Sequence, residues 1–200
     1  MGEIGGEIGK ERILGGLLKT GQTTQYGGYE DDGYFEKGLS SLYTVLTLGQ
    51  YAGTTSITLN SKTDAHSNNC VYDRRTKLTW SRYAAGSVGP ASNGKLPWTT
   101  NVNGEGIYPF VAAANLALLG GYGDWRVANR KELDSLFNIE LNPGTPDTTA
   151  FPSWPTSGTW ASSTTKEAAN AAFLSGYNYV SALEVRAKTE AYTCILVRGG

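Results

Sequence analysis

The stretch Gly120–Leu133, G-G-Y-G-D-W-R-V-A-N-R-K-E-L, decides what this chain can fold into. It follows an alanine- and leucine-rich run, and Gly120-Gly121 is expected to end that helix, because glycine enters left-handed conformations freely. Asn129 stands three residues before Glu132, the spacing of a capping box, so a second helix is expected to start there. Trp125, with Tyr122 beside it, reads as a core plug between the helices. Asp124 and Arg126 flank it. A turn held between two helices must satisfy its polar groups, so these two are expected to bond backbone or each other, with a ligand site as the alternative.

Upstream, P-F-V-A-A-A-N-L-A-L-L (Pro109–Leu119) reads as the first helix, with proline at its start. Downstream, the second helix is expected from Arg130 to about Phe137, with Leu133, Leu136 and Phe137 as its apolar stripe. V-Y-D-R-R-T-K-L-T-W (Val71–Trp80) has two β-forming ends around a polar turn, as a hairpin does. V-L-T-L and T-S-I-T-L, within residues 42–60, lean towards strand, and residues 84–105 and Asn142–Pro155 are rich in glycine or proline. From Thr156 onward, T-W-A-S-S-T, A-F-L-S-G-Y-N-Y-V, A-L-E-V-R-A-K and Y-T-C-I-L-V-R read as strands, the last of them a meander. Two short helices bracketed by antiparallel strands make an α+β domain. Residues 20–200 are expected to form that single domain, as a leader (20–60) and a core (61–200). In residues 1–19 the apolar positions approach helical spacing, but Gly5, Gly6, Gly9, Gly15 and Gly16 each weaken a helix by about 1 kcal/mol. That points to a flexible tail, with an assembly or anchoring segment as the alternative.

Composition narrows the function. The 200 residues carry a net charge of −1, with charged residues only 18%, so no nucleic-acid partner is expected. Twelve tyrosines and five tryptophans among many Ser, Thr, Asn and Gly residues resemble the chemistry of binding surfaces, where aromatics give contact area at low entropy cost. No run approaches the ~18 apolar residues of a membrane span, so no membrane insertion is expected. Glu3 and Glu7 come early, with no apolar segment behind them. The expectation is therefore synthesis in the cytoplasm without a secretory signal, any outside role needing a route such as a virion. Cys70 and Cys194 are too few for a disulfide framework, although one bridge between them is open.

Catalytic machinery is hard to assemble from these residues. His66 is the one histidine, and no G-x-S-x-G elbow accompanies it. Four zinc ligands cannot be collected, there is no phosphate loop, and the carboxylates are scattered. Glu30-Asp31-Asp32 lacks EF-hand spacing and reads as a solvated acidic turn. No cofactor or metal is expected, and a binding module is the better default than an enzyme.

The Gly120–Leu133 stretch, joined to D-T-T-A-F-P (147–152), T-W-A-S-S-T (159–164) and the terminal V-R-G-G (197–200), resembles the C-terminal domain family of collagen-like bacterial adhesins. The hairpin resembles that family's opening strand pair. K-T-G-Q-T-T-Q-Y (19–26) and D-D-G-Y-F-E-K-G (31–38) resemble the leader that often precedes it. The resemblance implies a C-type-lectin-like fold. Two departures are visible: Ala128 stands where the family usually has proline, and Ala114 and Leu196 stand where many members carry cysteines.

A narrower resemblance is to proteins diversified by retroelements, often displayed on phage or viral particles, which use this fold and vary near the C-terminus. It implies a frame (Trp160, Phe173, Tyr177, Leu183, Lys188, Tyr192, Val197, Arg198) and, between it, outward candidates for ligand contact: Asn178, Tyr179, Ala182, Glu184, Arg186, Glu190 and Ala191. For each of these an ordinary solvated strand face is the alternative, and Trp160 reads as core rather than contact. The expected partner is a protein or glycan on a cell surface, without the calcium motifs of classical lectins. A structural fibre or tip subunit, with a homo-oligomer left open, competes with this. The formylglycine-generating oxidases share the fold, but they need closely placed redox cysteines.

Overall fold

The computed structural model describes residues 24, 43–46, 56–59, 62–65, 70–82, 95–137, 146–152, 154, 157–166, 170–177 and 183–200. The tail 1–19, the acidic turn at 30–32, His66 and three of the candidate contacts, Asn178, Tyr179 and Ala182, lie outside the described residues.

Within them the elements run β1 (Tyr43–Leu46), β2 (Ser56–Leu59), β3 (Lys62–Ala65), β4 (Cys70–Asp73), β5 (Leu78–Ser81), β6 (Leu96–Pro97), α1 (Ile107–Leu116), β7 (Arg126–Val127), α2 (Arg130–Asp134), β8 (Ser157–Thr164), β9 (Ala171–Tyr177), β10 (Leu183–Ala187), β11 (Ala191–Tyr192) and β12 (Leu196–Arg198). The main sheet has five strands in the order β1-β4-β5-β12-β7, and a second has three, β10-β9-β8. Each pairing between these strands is antiparallel, so the architecture is α+β. Leader strand β1 pairs in register with β4, and Ile57 of β2 is fully buried, so both belong to the same packed body as the core.

The expected hairpin is β4–β5. Its turn is organised by the buried Asp73 carboxylate, which accepts hydrogen bonds from the Arg75 backbone and guanidinium and from the Thr76 hydroxyl. Arg75 also donates to the Tyr43 hydroxyl and to the Ser135 carbonyl, both at 3.3 Å, tying the turn to β1 and to the end of α2.

The first helix starts two residues earlier than the sequence suggests, with Pro109 in its first turn, where a missing N–H leaves no helical bond unmade. It also ends earlier. Ala117 is its C-cap and the left-handed residue after it is Leu118 (φ 50°), so the glycines shape a second turn rather than the helix end. Gly120 (φ 61°) is required there, because a Cβ would stand 2.6 Å from the Cys70 sulfur. The capping box of α2 is complete: Asn129 Oδ1 accepts from the Glu132 N–H at 3.0 Å, and the Glu132 carboxylate accepts from the Asn129 N–H at 2.7 Å. The helix is shorter than expected, stopping at Asp134, with Leu136 buried in the turn beyond it.

Trp125 is the core plug, 2% exposed. Its indole N–H donates to the Leu119 carbonyl at 2.9 Å, and the Asn115 amide bonds both its backbone N–H and its carbonyl. Asp124 and Arg126 do not bond each other. Arg126 meets Glu132 in a two-pronged ion pair (2.7 and 2.8 Å) and donates to the Gly199 carbonyl at 3.0 Å. Asp124 binds Arg198 at 2.6 Å.

The expected C-terminal meander stops at β10. β11 leaves to pair with β6, and β12 enters the main sheet between β5 and β7. The cause is the run Tyr192–Val197, whose residues are all buried. Tyr192, Cys194 and Leu196 join the hydrophobic cluster that holds Trp125, Trp160 and the α1 residues Ile107, Phe110 and Ala114. Ile195 and Val197 join the cluster that holds Trp80, Phe151 and Leu133 of α2. A strand apolar on both sides belongs in the middle of a covered sheet, not on the edge of a solvated one. Trp125→Ala is expected to cost about 3–5 kcal/mol in urea unfolding, as a core truncation. A loss below about 1 kcal/mol would show that the plug carries little of the packing.

Candidate binding surface

The second sheet offers the surface that the sequence singled out. β9 is its middle strand, with Ala172 and Leu174 buried towards the α1 cluster and Phe173 turned to the other side, where the Arg130 guanidinium lies 5.1 Å from its ring centre. β10 lies along one edge, with Glu184 opposite Leu174 and Arg186 opposite Ala172. Glu184 and Arg186 therefore share one face and form an ion pair, each side chain about one-third exposed (32% and 34%). The adjacent carboxylate of Glu184 holds the Arg186 guanidinium even more firmly protonated than usual, and Tyr192 and Glu190 add to its field. Val185, between them, points to the opposite face and is 47% exposed.

The turn after β10 brings in the remaining candidates. The Glu190 N–H donates to the Ala187 carbonyl at 2.9 Å, and the Glu190 carboxylate accepts from the Ala187 N–H at 3.2 Å and from the Tyr192 hydroxyl at 2.7 Å. Glu190 is exposed, yet both of its oxygens close this turn. Ala191 is exposed and pairs with Pro97. Of the seven contact candidates, Glu184, Arg186, Glu190 and Ala191 are thus brought to one region, while the other three are outside the described residues.

Behind them stands the frame. Trp160 is fully buried, with its indole N–H donating to the Leu96 carbonyl at 2.9 Å and its ring edge-on to Tyr192. Sequence reasoning missed a neighbour, Trp98, which it left inside a glycine- and proline-rich loop. The Trp98 N–H donates to the Lys188 carbonyl, and its indole donates to the Ala161 carbonyl. Lys188 lays its ammonium 4.2 Å from the Trp98 ring centre, and Tyr108 meets that ring edge-on. The available signal was a lone tryptophan in an otherwise small, polar loop.

A second charged cluster lies at the chain's end. Arg198 hydrogen-bonds Asp124, holding that carboxyl below the usual range, and its guanidinium covers the Tyr122 ring at 3.8 Å. Burial works to raise the Glu132 carboxyl, but hydrogen bonds from Arg126 and the Asn129 backbone outweigh it and bring it down. These pairs fasten β7, α2 and β12 together.

Among the described residues no group of three or more His, Cys, Asp and Glu side chains could hold a metal ion, and no helix is long and apolar enough to cross a membrane. Cys70 and Cys194 are separate, buried thiols, pushed by burial up to about 11 and about 12 respectively.

The family model of the Lcl C-terminal domain matches residues 69–198, and the chain belongs to that family. No curated protein and no solved structure matches it significantly. The match runs from the start of β4 to the end of β12. D-T-T-A-F-P turns on Asp147, which accepts from the Thr149 and Ala150 N–H groups and buries Phe151. T-W-A-S-S-T lies in β8, and V-R-G-G closes β12. Ala114 and Leu196 are fully buried in one cluster, so packing fills both places. Both thiols are expected to ignore a disulfide reagent at pH 8 in the native protein and to react fully in denaturant, because the nucleophile is the thiolate. Rapid labelling of the native protein would contradict their burial.

Proposed function

We propose that this Lcl C-terminal domain is a ligand-binding module, a C-type-lectin-like scaffold that presents β10 and the turn after it to a protein or glycan on a cell surface. The observation that carries this reading is the division within the last strands. Trp160, Tyr192, Ile195, Leu196 and Val197 are buried in the frame, whereas Glu184 and Arg186 form an ion pair on an edge strand, each side chain about one-third exposed. Such residues can change without unfolding the domain, which is what a recognition surface requires. Asn178, Tyr179 and Ala182 lie between β9 and β10 in the chain, outside the described residues. Glu190 and Ala191 serve it by setting the turn beside the pair. A diversified display protein of a phage, a virus or its host is the finer form of the proposal.

The proposed role is non-catalytic. Buried thiols, one on β4 and one between β11 and β12, are unsuited to formylglycine chemistry, which needs accessible thiolate. Recognition is expected to be independent of calcium.

The test is binding of the labelled chain to arrayed glycans and to intact cells, with and without EDTA. Glu184→Ala with Arg186→Ala is expected to leave thermal unfolding nearly unchanged and to weaken binding at least about tenfold, or about 1.4 kcal/mol. Arg74→Ala, in the exposed turn of the β4–β5 hairpin, is expected to bind as the parent does. Equal binding by the double variant would remove β10 from the site, and its unfolding would place the pair in the frame.

A further inference from the structure

The turn between β10 and β11 is held by backbone at one corner and by a side chain at the other. At the first corner the Lys188 N–H donates to the Asn170 carbonyl at 2.9 Å. The Lys188 carbonyl accepts from the N–H groups of Trp98 (2.9 Å) and Thr99 (3.2 Å). At the other corner the Glu190 N–H reaches back to the Ala187 carbonyl, and the Glu190 carboxylate spans the turn. One of its oxygens accepts from the Ala187 N–H at 3.2 Å, and the other from the Tyr192 hydroxyl at 2.7 Å. A long, exposed side chain gives up rotamer freedom to hold such a pose, so it needs an anchor that stays in place. Tyr192 is that anchor. Its ring is buried and stands edge-on to Trp160 at 5.2 Å. Strand β11 sets it opposite Leu96, whose carbonyl takes the Trp160 indole N–H. A hydroxyl that donates to a carboxylate also makes a stronger bond than a neutral pair does. Glu190 and Tyr192 contribute to the field around the Arg186 guanidinium, so this brace lies beside the Glu184–Arg186 pair.

We propose that Tyr192 is a positioning residue for the recognition surface: its hydroxyl fixes the Glu190 carboxylate, and the turn that Glu190 closes fixes how Arg186 and Lys188 are presented. This deepens, and rests on, the reading of β10 and the turn after it as the binding surface. It also gives Glu190 a different part from Glu184 and Arg186, because both of its oxygens are engaged within the protein. Such a brace acts before any partner arrives. It removes turn conformations that binding would otherwise have to order. Tyr192 acts through Glu190, without touching the partner.

Amide hydrogen exchange and binding are measured together on the full chain, with arrayed glycans and intact cells as the probes. Tyr192→Phe keeps the ring against Trp160 and removes only the hydroxyl. It is expected to speed exchange at Ala187 and to weaken binding about three- to tenfold, the range of one lost hydrogen bond. The Trp160 and Leu196 amides are expected to stay protected. Glu190→Ala breaks the brace from the exposed side and is expected to show the same changes. Glu190→Gln, which keeps an oxygen at the same reach, is expected to recover part of the Ala187 protection that Glu190→Ala loses. Tyr192→Phe combined with Glu190→Ala is expected to weaken binding no more than either change alone, since one contact cannot be lost twice. An Ala187 amide that exchanges in Tyr192→Phe as in the parent would overturn the positioning role. So would additive losses in the combined variant, or equal acceleration at Ala187, Trp160 and Leu196, which marks a general loss of stability. If exchange at Ala187 rises while Glu184→Ala with Arg186→Ala binds as the parent does, the binding surface lies elsewhere, and the proposal falls with that reading.

Discussion

Six consecutive residues, Tyr192–Val197, are enclosed on both sides, and the other packing decisions follow from where they go. On the way in, β11 pairs with β6. Thr193 then bridges β8: its carbonyl accepts from the Trp160 N–H at 2.9 Å, its own N–H reaches the Gly158 carbonyl, and its hydroxyl bonds the same carbonyl. The segment ends as β12 between β5 and β7. One short length of chain thereby joins three sheets. Its alternate side chains feed two separate clusters, one under each helix, so both cores depend on its being in place. Leaving it in water would expose apolar side chains worth roughly 1.5–3 kcal/mol each when buried.

The mid-chain motif is the receiver for that segment. β7 supplies the outer partner of β12, with Leu196 opposite Val127 and Val197 opposite Arg126. Arg126 and Arg198 then fasten the strand ends to Glu132 and Asp124. Those ion pairs are partly exposed, and isolated surface pairs contribute little to stability. Their value here is geometric, since they fix the direction in which the chain ends arrive. The ion pairs at β7 and β12 join separate elements of the fold, whereas the Glu184–Arg186 pair lies within one strand.

Much of this was legible in the sequence. The capping box at Asn129 and Glu132, the β4–β5 hairpin, the buried Trp125 and the strand-rich end are local features, written in spacing and residue type. What was not legible was long-range. Nothing within Y-T-C-I-L-V-R says that it will leave the meander, because a continuous apolar run shows burial on two faces without naming the strands that provide it. Arg126 does bond backbone, at the Gly199 carbonyl, but the ion-pair partners of Asp124 and Arg126 were not legible: Arg198 is distant in sequence, and only the fold brings it to Asp124. Trp98 was passed over because loops lack periodicity. On the candidate surface, the Glu184–Arg186 pair is a same-strand spacing that sequence can show, whereas the turn-closing bonds of Glu190 depend on where β11 goes.

Native-state hydrogen exchange along residues 191–198 measures most directly whether this segment holds the sheets together. The amides of Thr193 and Leu196, bonded to Gly158 and to the Ser81 hydroxyl, should open only with the whole molecule, together with the Trp160 amide. Their exchange free energies should then match the global unfolding value and fall with denaturant at the same slope. If these amides exchange by local opening while β4, β5 and α1 stay protected, the C-terminal segment is an appendage and the account is wrong.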